Sequence, residues 1–241
     1  MAMARHSTVA PADAGRPADR PEPSGGWPHL AYRVTRRAVG LQLVQPWTCD
    51  LRCIAEPPWD DAYEFRPLDA DDVRRLAVDP AVDLAHTTAL RLAAGGRRCF
   101  AAMDGPNLAC YVWFAENGVG PEDTMGIPVS LPSDACYLFN AFTAPAYRRR
   151  GIYVRTATRA LWELCRLGKA RAIALIEYGN VASMRSHGRI GMKPQGWIVS
   201  LGRGGLACRW CAPAARQCGC GDLRLETNAA LRRRFLKKSA T

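Results

Sequence analysis

The chain has 241 residues, enough for one domain with a full hydrophobic core plus appendages. It carries 33 Lys and Arg against 22 Asp and Glu, a net charge of +11, which suits a polyanionic ligand or partner. No apolar run reaches the ~18 residues that would span a membrane, and no apolar leader core opens the chain, so the expectation is a cytoplasmic protein whose ten cysteines do not form a disulfide framework.

In chain order, residues 1–27 are rich in Ala, Pro, Gly, Asp and Arg and cannot bury a core, which predicts a disordered tail. Residues 28–62 read as an extension packing on the core, with a strand or short helix around the apolar stretch Val39 to Val44; Cys49 and Cys53 are a candidate redox or metal pair. The main domain is expected over residues 63–212. It opens with a strand over Tyr63 to Leu68. A helix follows from Asp69, a plausible N-cap with Asp71 and Asp72 in its first turn, to about Val78. A second helix covers Asp83 to Ala94 and stops at Gly95 and Gly96. Two β-rich runs, Cys99 to Met103 and Leu108 to Phe114, flank the hairpin signal Asp104-Gly-Pro-Asn107. A polar loop, Glu116 to Pro132, leads to the central unit.

That unit is strand, basic turn, helix, strand, helix. Apolar runs at Tyr137 to Thr143 and Ala172 to Ile176 bracket a helical pattern from Ile152 to Leu167. Val154, Ala157, Leu161, Leu164 and Cys165 fall on one face of that helix. Arg148, Arg149, Arg150 and Gly151 stand at its start. The first amides of a helix have no partner within it and its dipole is positive there, so this turn is suited to an anion. Gly151 permits close approach of a phosphate to the backbone. A terminal hairpin, Gly196 to Leu201 and Leu206 to Trp210, closes the domain, and residues 213–241 form a cysteine-containing basic tail.

Two motifs in this unit carry a resemblance. Pro145-Ala-Tyr-Arg148-Arg-Arg-Gly151-Ile-Tyr153 resembles the acyl-CoA pyrophosphate loop, P-x-x-[RQ]-x-x-G-x-[GA], of the GNAT superfamily of N-acyltransferases. Asn180-x-x-Ser183-x-x-x-His187-x-x-x-Gly191-Met192 is similar to that family's N-x-x-[SA]-x-x-x-Y-x-x-x-G-F segment. Tyr153 departs from the second small residue of the loop, and His187 from the tyrosine. The resemblance implies an α+β fold: a mixed, mostly antiparallel sheet flanked by helices and splayed between its fourth and fifth strands, with acetyl-CoA or another acyl-CoA in the cleft.

It also implies the site. Arg148, Arg149, Arg150, Gly151, Ile152 and Tyr153 would hold the phosphates. The backbone of Phe142 and Thr143 would pair with the pantetheine arm as an added strand, and Asn180 and Ser183 would cap the last helix and bond the arm. Among the residues themselves, Glu177, at the end of a strand, is the first candidate for the base that takes the amine's proton. Glu116 is the second, and a solvated or helix-capping role for Glu177 is equally open. His187 is the candidate donor to the leaving thiolate, or a structural histidine.

Cys208-x2-Cys211-x6-Cys218-x-Cys220 puts four thiols within thirteen residues, enough for a tetrahedral Zn site or, equally, free thiols or a redox pair. Leu231 to Lys238 reads as a basic helical tail. The resemblance implies a small-molecule or peptide amine as acceptor. Acetyl transfer leads. The alternatives are longer-chain transfer from acyl-CoA or an acyl carrier protein, an acidic peptide partner, or a non-catalytic module binding acyl-CoA or nucleic acid. Nucleic acid is disfavoured, since no exposed aromatic platform accompanies the basic residues.

Overall fold

The computed structural model describes residues 27–79, 82, 97–116, 119–120, 123–127, 129–202, 206–220 and 226–227. The expected disordered tail, the helix at Asp83 to Ala94 and the basic helix at Leu231 to Lys238 fall outside them, apart from Trp27. Helix α1 (Trp27–Val39) leads into β1 (Gln42–Asp50) and a single 3-10 turn, Leu51–Cys53. Next come β2 (Glu64–Leu68), α2 (Ala70–Ala77), β3 (Arg97–Asp104), β4 (Asn107–Ala115) and β5 (Ala135–Thr143). Then follow a 3-10 turn (Pro145–Tyr147), α3 (Ile152–Arg166), β6 (Arg171–Glu177), α4 (Val181–Ile190) and β7 (Lys193–Pro194). The chain continues with β8 (Ile198–Leu201), β9 (Leu206–Cys211), α5 (Pro213–Gln217) and β10 (Glu226–Thr227).

The strands form one sheet in the order β10-β9-β8-β1-β6-β5-β4-β3-β2, with β7 paired to β1. Every pairing is antiparallel except β5 with β6. The architecture is the mixed, mostly antiparallel sheet flanked by helices that the sequence implied. Sequence signals set the local elements. Asp69 caps α2 in a reciprocal capping box with Asp72, and Gly105, at φ 54°, makes the tight turn between β3 and β4.

Two stretches outside the expected main domain pack into it. Residues 42–50 do not merely cover the core: β1 is an interior strand, paired with β6 on one side and with β8 and β7 on the other. Pro46 explains why this was hard to read, because an interior strand seldom tolerates a missing donor. Here the Pro46 carbonyl accepts from Gln195 N at 2.8 Å. The ring nitrogen therefore faces the break where β8, paired to residues 42–44, gives way to β7, paired to residues 47–48. Residues 213–220 are likewise not a tail. Ala215 and Cys220 are buried with Val44, Ile127, Tyr137 and Ile198, and Cys220 bridges Val129.

The main core lies between one sheet face and α3. Ala157, Ala160, Leu161 and Leu164 pack on Phe100, Val112, Phe114 and Leu138. At the start of α3, Ile152 is buried with Ala102, Ala109 and Cys110 of β3 and β4.

Candidate functional site

β5 and β6 pair over only four residues, Ala135–Leu138 with Arg171–Ala174. Beyond Leu138 the β4–β5 register slips: Trp113 pairs with Asn140 and Phe114 with Leu138, which leaves Phe139 as a bulge. A bulge bends its strand, and β5 turns away from β6. The gap opens into a cleft of about 660 Å³, within the usual range for small-molecule sites. Phe142, Thr143, Arg148, Arg149, Gly151, Ile152, Tyr153, Asn180, Ser183 and His187 all line it.

At the mouth the backbone is shaped by Arg149 and Gly151, both left-handed at φ 65° and 73°. Gly151 is the N-cap of α3 and no side chain bonds back to the helix start, so the first amides of α3 stay available to an anion. Arg150 is the exception among the loop arginines: its guanidinium lies over the Tyr147 ring at 5.7 Å, and it does not line the cleft. Arg155 buttresses the turn, donating to the Arg150 carbonyl at 3.2 Å and to Asp60 at 2.9 Å.

On β5, Ala144 N donates to Ala109 O at 3.0 Å. Strand alternation then turns the amide and carbonyl of Thr143, and of Ala141, away from β4 and into the gap. These are edge groups an added strand would use, and the Thr143 carbonyl among them already accepts from Arg148 Nε at 3.1 Å.

Asn180 caps α4, its side chain accepting from Ser183 N at 3.1 Å. His187 is 4% exposed. Its Nδ1 lies 2.8 Å from the Ser183 carbonyl, which can only accept, so Nδ1 carries the proton. Nε2 is then a lone pair and accepts from the Tyr153 hydroxyl at 3.4 Å. Burial holds the imidazole below its ordinary pKa, in the neutral form. The resting His187 therefore has no proton to offer the cleft. The protonated group beside it is Tyr153, whose phenol burial pushes up and whose one proton is given to His187 Nε2. The loop pattern hid this, because Tyr153 stood out only as a departure from a small residue.

Glu177 does not line the cleft. It pairs in register with Val44, whose side chain belongs to the sheet face away from α3. Tyr32 donates to Glu177 Oε1 at 2.8 Å and Arg36 pairs with the same oxygen at 2.7 Å. Tyr32 also accepts from Leu43 N at 3.2 Å. Both partners come from α1, which carried no motif to flag them. Glu116 is not brought to the site. It follows β4, whose last residue, Ala115, pairs with Tyr137 at the closed end of the β5–β6 gap. There Glu116 is paired with Arg98, and Lys169 Nζ lies 3.9 Å away. The antiparallel course of β4 carries its end to the wrong side of the sheet.

The four-cysteine run does not converge either. β9 places Cys208, exposed, and Cys211, buried, on opposite faces, as an odd spacing on a strand requires. Burial pushes Cys220 up to about 12, so it is a neutral thiol. Among the described residues no group of three or more His, Cys, Asp or Glu is placed to hold a metal ion. Cys49 is half-buried on β1 and Cys53 exposed, both free thiols. No helix among the described residues is long and apolar enough to cross a membrane.

Among solved structures the chain is similar to a GCN5-related N-acetyltransferase from Kribbella flavida. The TM-score is 0.50 at 15% identity, over 74% of this chain and 65% of that one. The chain has the GNAT fold. A GCN5-related N-acetyltransferase from Sphaerobacter thermophilus gives 0.49 at 12% identity, over 70% of this chain and 54% of that one. A putative acetyltransferase of the GNAT family from Novosphingobium aromaticivorans gives 0.48 at 13% identity, over 68% and 66%. The chain thus spans between 54% and 66% of the length of these three. No family model and no curated protein sequence matches it. Within the GNAT fold, the splayed strands are β5 and β6, and β1 lies between β6 and the terminal hairpin.

Proposed function

We propose that this chain is an N-acyltransferase that moves an acyl group, acetyl foremost, from acyl-CoA to a primary amine by direct attack in a ternary complex. The observation that carries this reading is the open β5–β6 gap with the uncapped start of α3 at its mouth. The amides of Ile152 and Tyr153, with Arg148 and Arg149, take the diphosphate. The gap-facing groups of Ala141 and Thr143 pair with the pantetheine arm. Amides along that edge also polarise the thioester carbonyl, commonly the largest contribution in acyl transfer.

The amine's lone pair attacks the carbonyl carbon and the C–S bond breaks. Glu177, on the opposite sheet face from Tyr153, takes the amine's proton directly or through water, with Tyr32 and Arg36 orienting its carboxylate. As the C–S bond breaks, the Tyr153 hydroxyl turns its one proton from His187 Nε2 to the departing thiolate. A thiol pKa of about 8.5 makes this assistance modest. His187 holds the phenol in place.

The test is titration with acetyl-, octanoyl- and palmitoyl-CoA, followed by thiol release over a panel of amines. Saturable acetyl-CoA binding with amine-dependent thiol release is expected. Binding without turnover over a broad panel would make the chain a binding module, and no binding of any acyl-CoA would end the reading.

A further inference from the structure

We propose that the outward face of α1 docks on an anionic lipid surface. Nothing in this depends on the acyl-CoA reading of the cleft. A surface helix ordinarily turns its apolar stripe toward the core, and α1 does the reverse. The groups by which it holds the sheet are polar: the Tyr32 hydroxyl donates to Glu177, and Arg36 pairs with the same carboxylate. At about 100° per residue, Trp27, Leu30 and Val34 form a stripe roughly half a turn away from Tyr32 and Arg36. All three are exposed, Trp27 to 85%, and the exposed Ala31 and Ala38 fill the stripe between them. Of the eight exposed large apolar side chains among the described residues, four belong to this one helix, Val39 being the fourth. Single exposed apolar residues are normal, but a contiguous set on one face marks a surface that is covered by something.

Charge decides what that is. Arg33 and Arg37 are exposed and stand one turn apart along one flank of the stripe. The helix contains no acidic residue, and of its arginines only Arg36 makes an ion pair among the described residues. A second copy packed antiparallel, stripe on stripe, would bring the two arginine flanks together. Three large side chains and two alanines also fall well short of the ~800 Å² per partner that a stable protein interface takes. A lipid interface sets no such threshold. Each apolar side chain that enters it contributes by itself, and each arginine beside it adds attraction to anionic headgroups. An indole such as that of Trp27 favours the headgroup level.

The experiment is co-sedimentation of the full chain with sucrose-loaded vesicles, made of phosphatidylcholine alone or of phosphatidylcholine mixed with phosphatidylserine. The wild type should partition onto the anionic vesicles about tenfold or more better than onto the neutral ones. Leu30→Gln combined with Val34→Gln keeps the charge and should lower binding to the anionic vesicles about tenfold or more. Arg33→Ala combined with Arg37→Ala keeps the stripe and should weaken binding to the anionic vesicles about tenfold, with little change on the neutral ones. The melting temperature should not move in either variant, because all four side chains are exposed. No binding of the wild type to anionic vesicles overturns the proposal. Undiminished binding by Leu30→Gln with Val34→Gln overturns it as well, because another basic surface would then make the contact. A dimer seen by light scattering without lipid, and dissolved by the same two substitutions, would assign the face to a second copy and overturn it in that way.

Discussion

His187 Nε2 and the Tyr153 hydroxyl meet at 3.4 Å, joining the first turn of α3 to the last turn of α4. Because Nδ1 is committed to the Ser183 carbonyl, the phenol is the donor of this pair. Tyr153→Phe should therefore lower kcat about tenfold with little change in the KM for acetyl-CoA. That is less than the ~100-fold or more of a strong general acid, since the thiolate leaves readily. His187→Gln should cost less than Tyr153→Phe, and steady-state kinetics with an amine that the chain acylates would rank the two. An unchanged kcat in Tyr153→Phe would remove the phenol from the mechanism.

Of the loop arginines, Arg148 lines the cleft and Arg150 lies over the Tyr147 ring. Arg148→Ala combined with Arg150→Ala should raise the Kd for acetyl-CoA by about tenfold or more, the scale of a lost charge-assisted contact. The melting temperature should not move, because both side chains are exposed. Calorimetry and thermal denaturation separate the two outcomes.

Stability should fall in two acid windows. Asp72 is buried, accepts from Arg66 and Arg75 and from the Asp69 amide, and is held down to about 2, chiefly by Arg66. Its folded value lies below the unfolded ~3.9, so its contribution is full above pH ~4 and is lost as pH falls toward 2, on the order of 2 kcal/mol. Asp72→Asn should flatten that slope in urea titrations. His187 follows the same sign: burial lowers its folded value below ~6.5, so its share of stability is lost as pH falls below ~6.5. His187→Gln should remove this higher window and leave the lower one.

Gly219 sets the packing of the segment after β9. A Cβ there would meet Ser130 O at 2.2 Å, and φ is 83°. Gly168, at φ 91°, has nothing within 4 Å of the same position. Gly168→Ala should cost the backbone strain alone, about 1 kcal/mol. Gly219→Ala adds a backbone clash and should cost about 3 kcal/mol or more. Equal shifts in the unfolding midpoint would show that the Ser130 contact is dispensable.

The central unit was legible because its signals are local. The apolar runs of β5 and β6, the period of α3 and the Arg148 to Gly151 turn lie within a few residues of one another, and so do the Asn180 and Ser183 cap. Each places a backbone group by spacing alone. The strand β1 was not legible as a sheet member, since Pro46 is acceptable only where β8 and β7 leave a break, a fact of tertiary pairing. Glu116 and the cysteine run failed for a related reason: residue type and spacing were right, but strand direction and alternation sent the side chains elsewhere.

The sequence by itself determined the basic turn, the helix that follows it and the two strands that bracket them. Those features need only the residue's own φ and ψ preferences and its near neighbours. Only the tertiary structure decided which proton the cleft can offer, where Glu177 sits and who holds it. A hydrogen bond's direction and a carboxylate's company depend on groups brought together from distant positions, Ser183 and Tyr153 around His187, Tyr32 and Arg36 around Glu177. No pattern along the chain encodes that meeting.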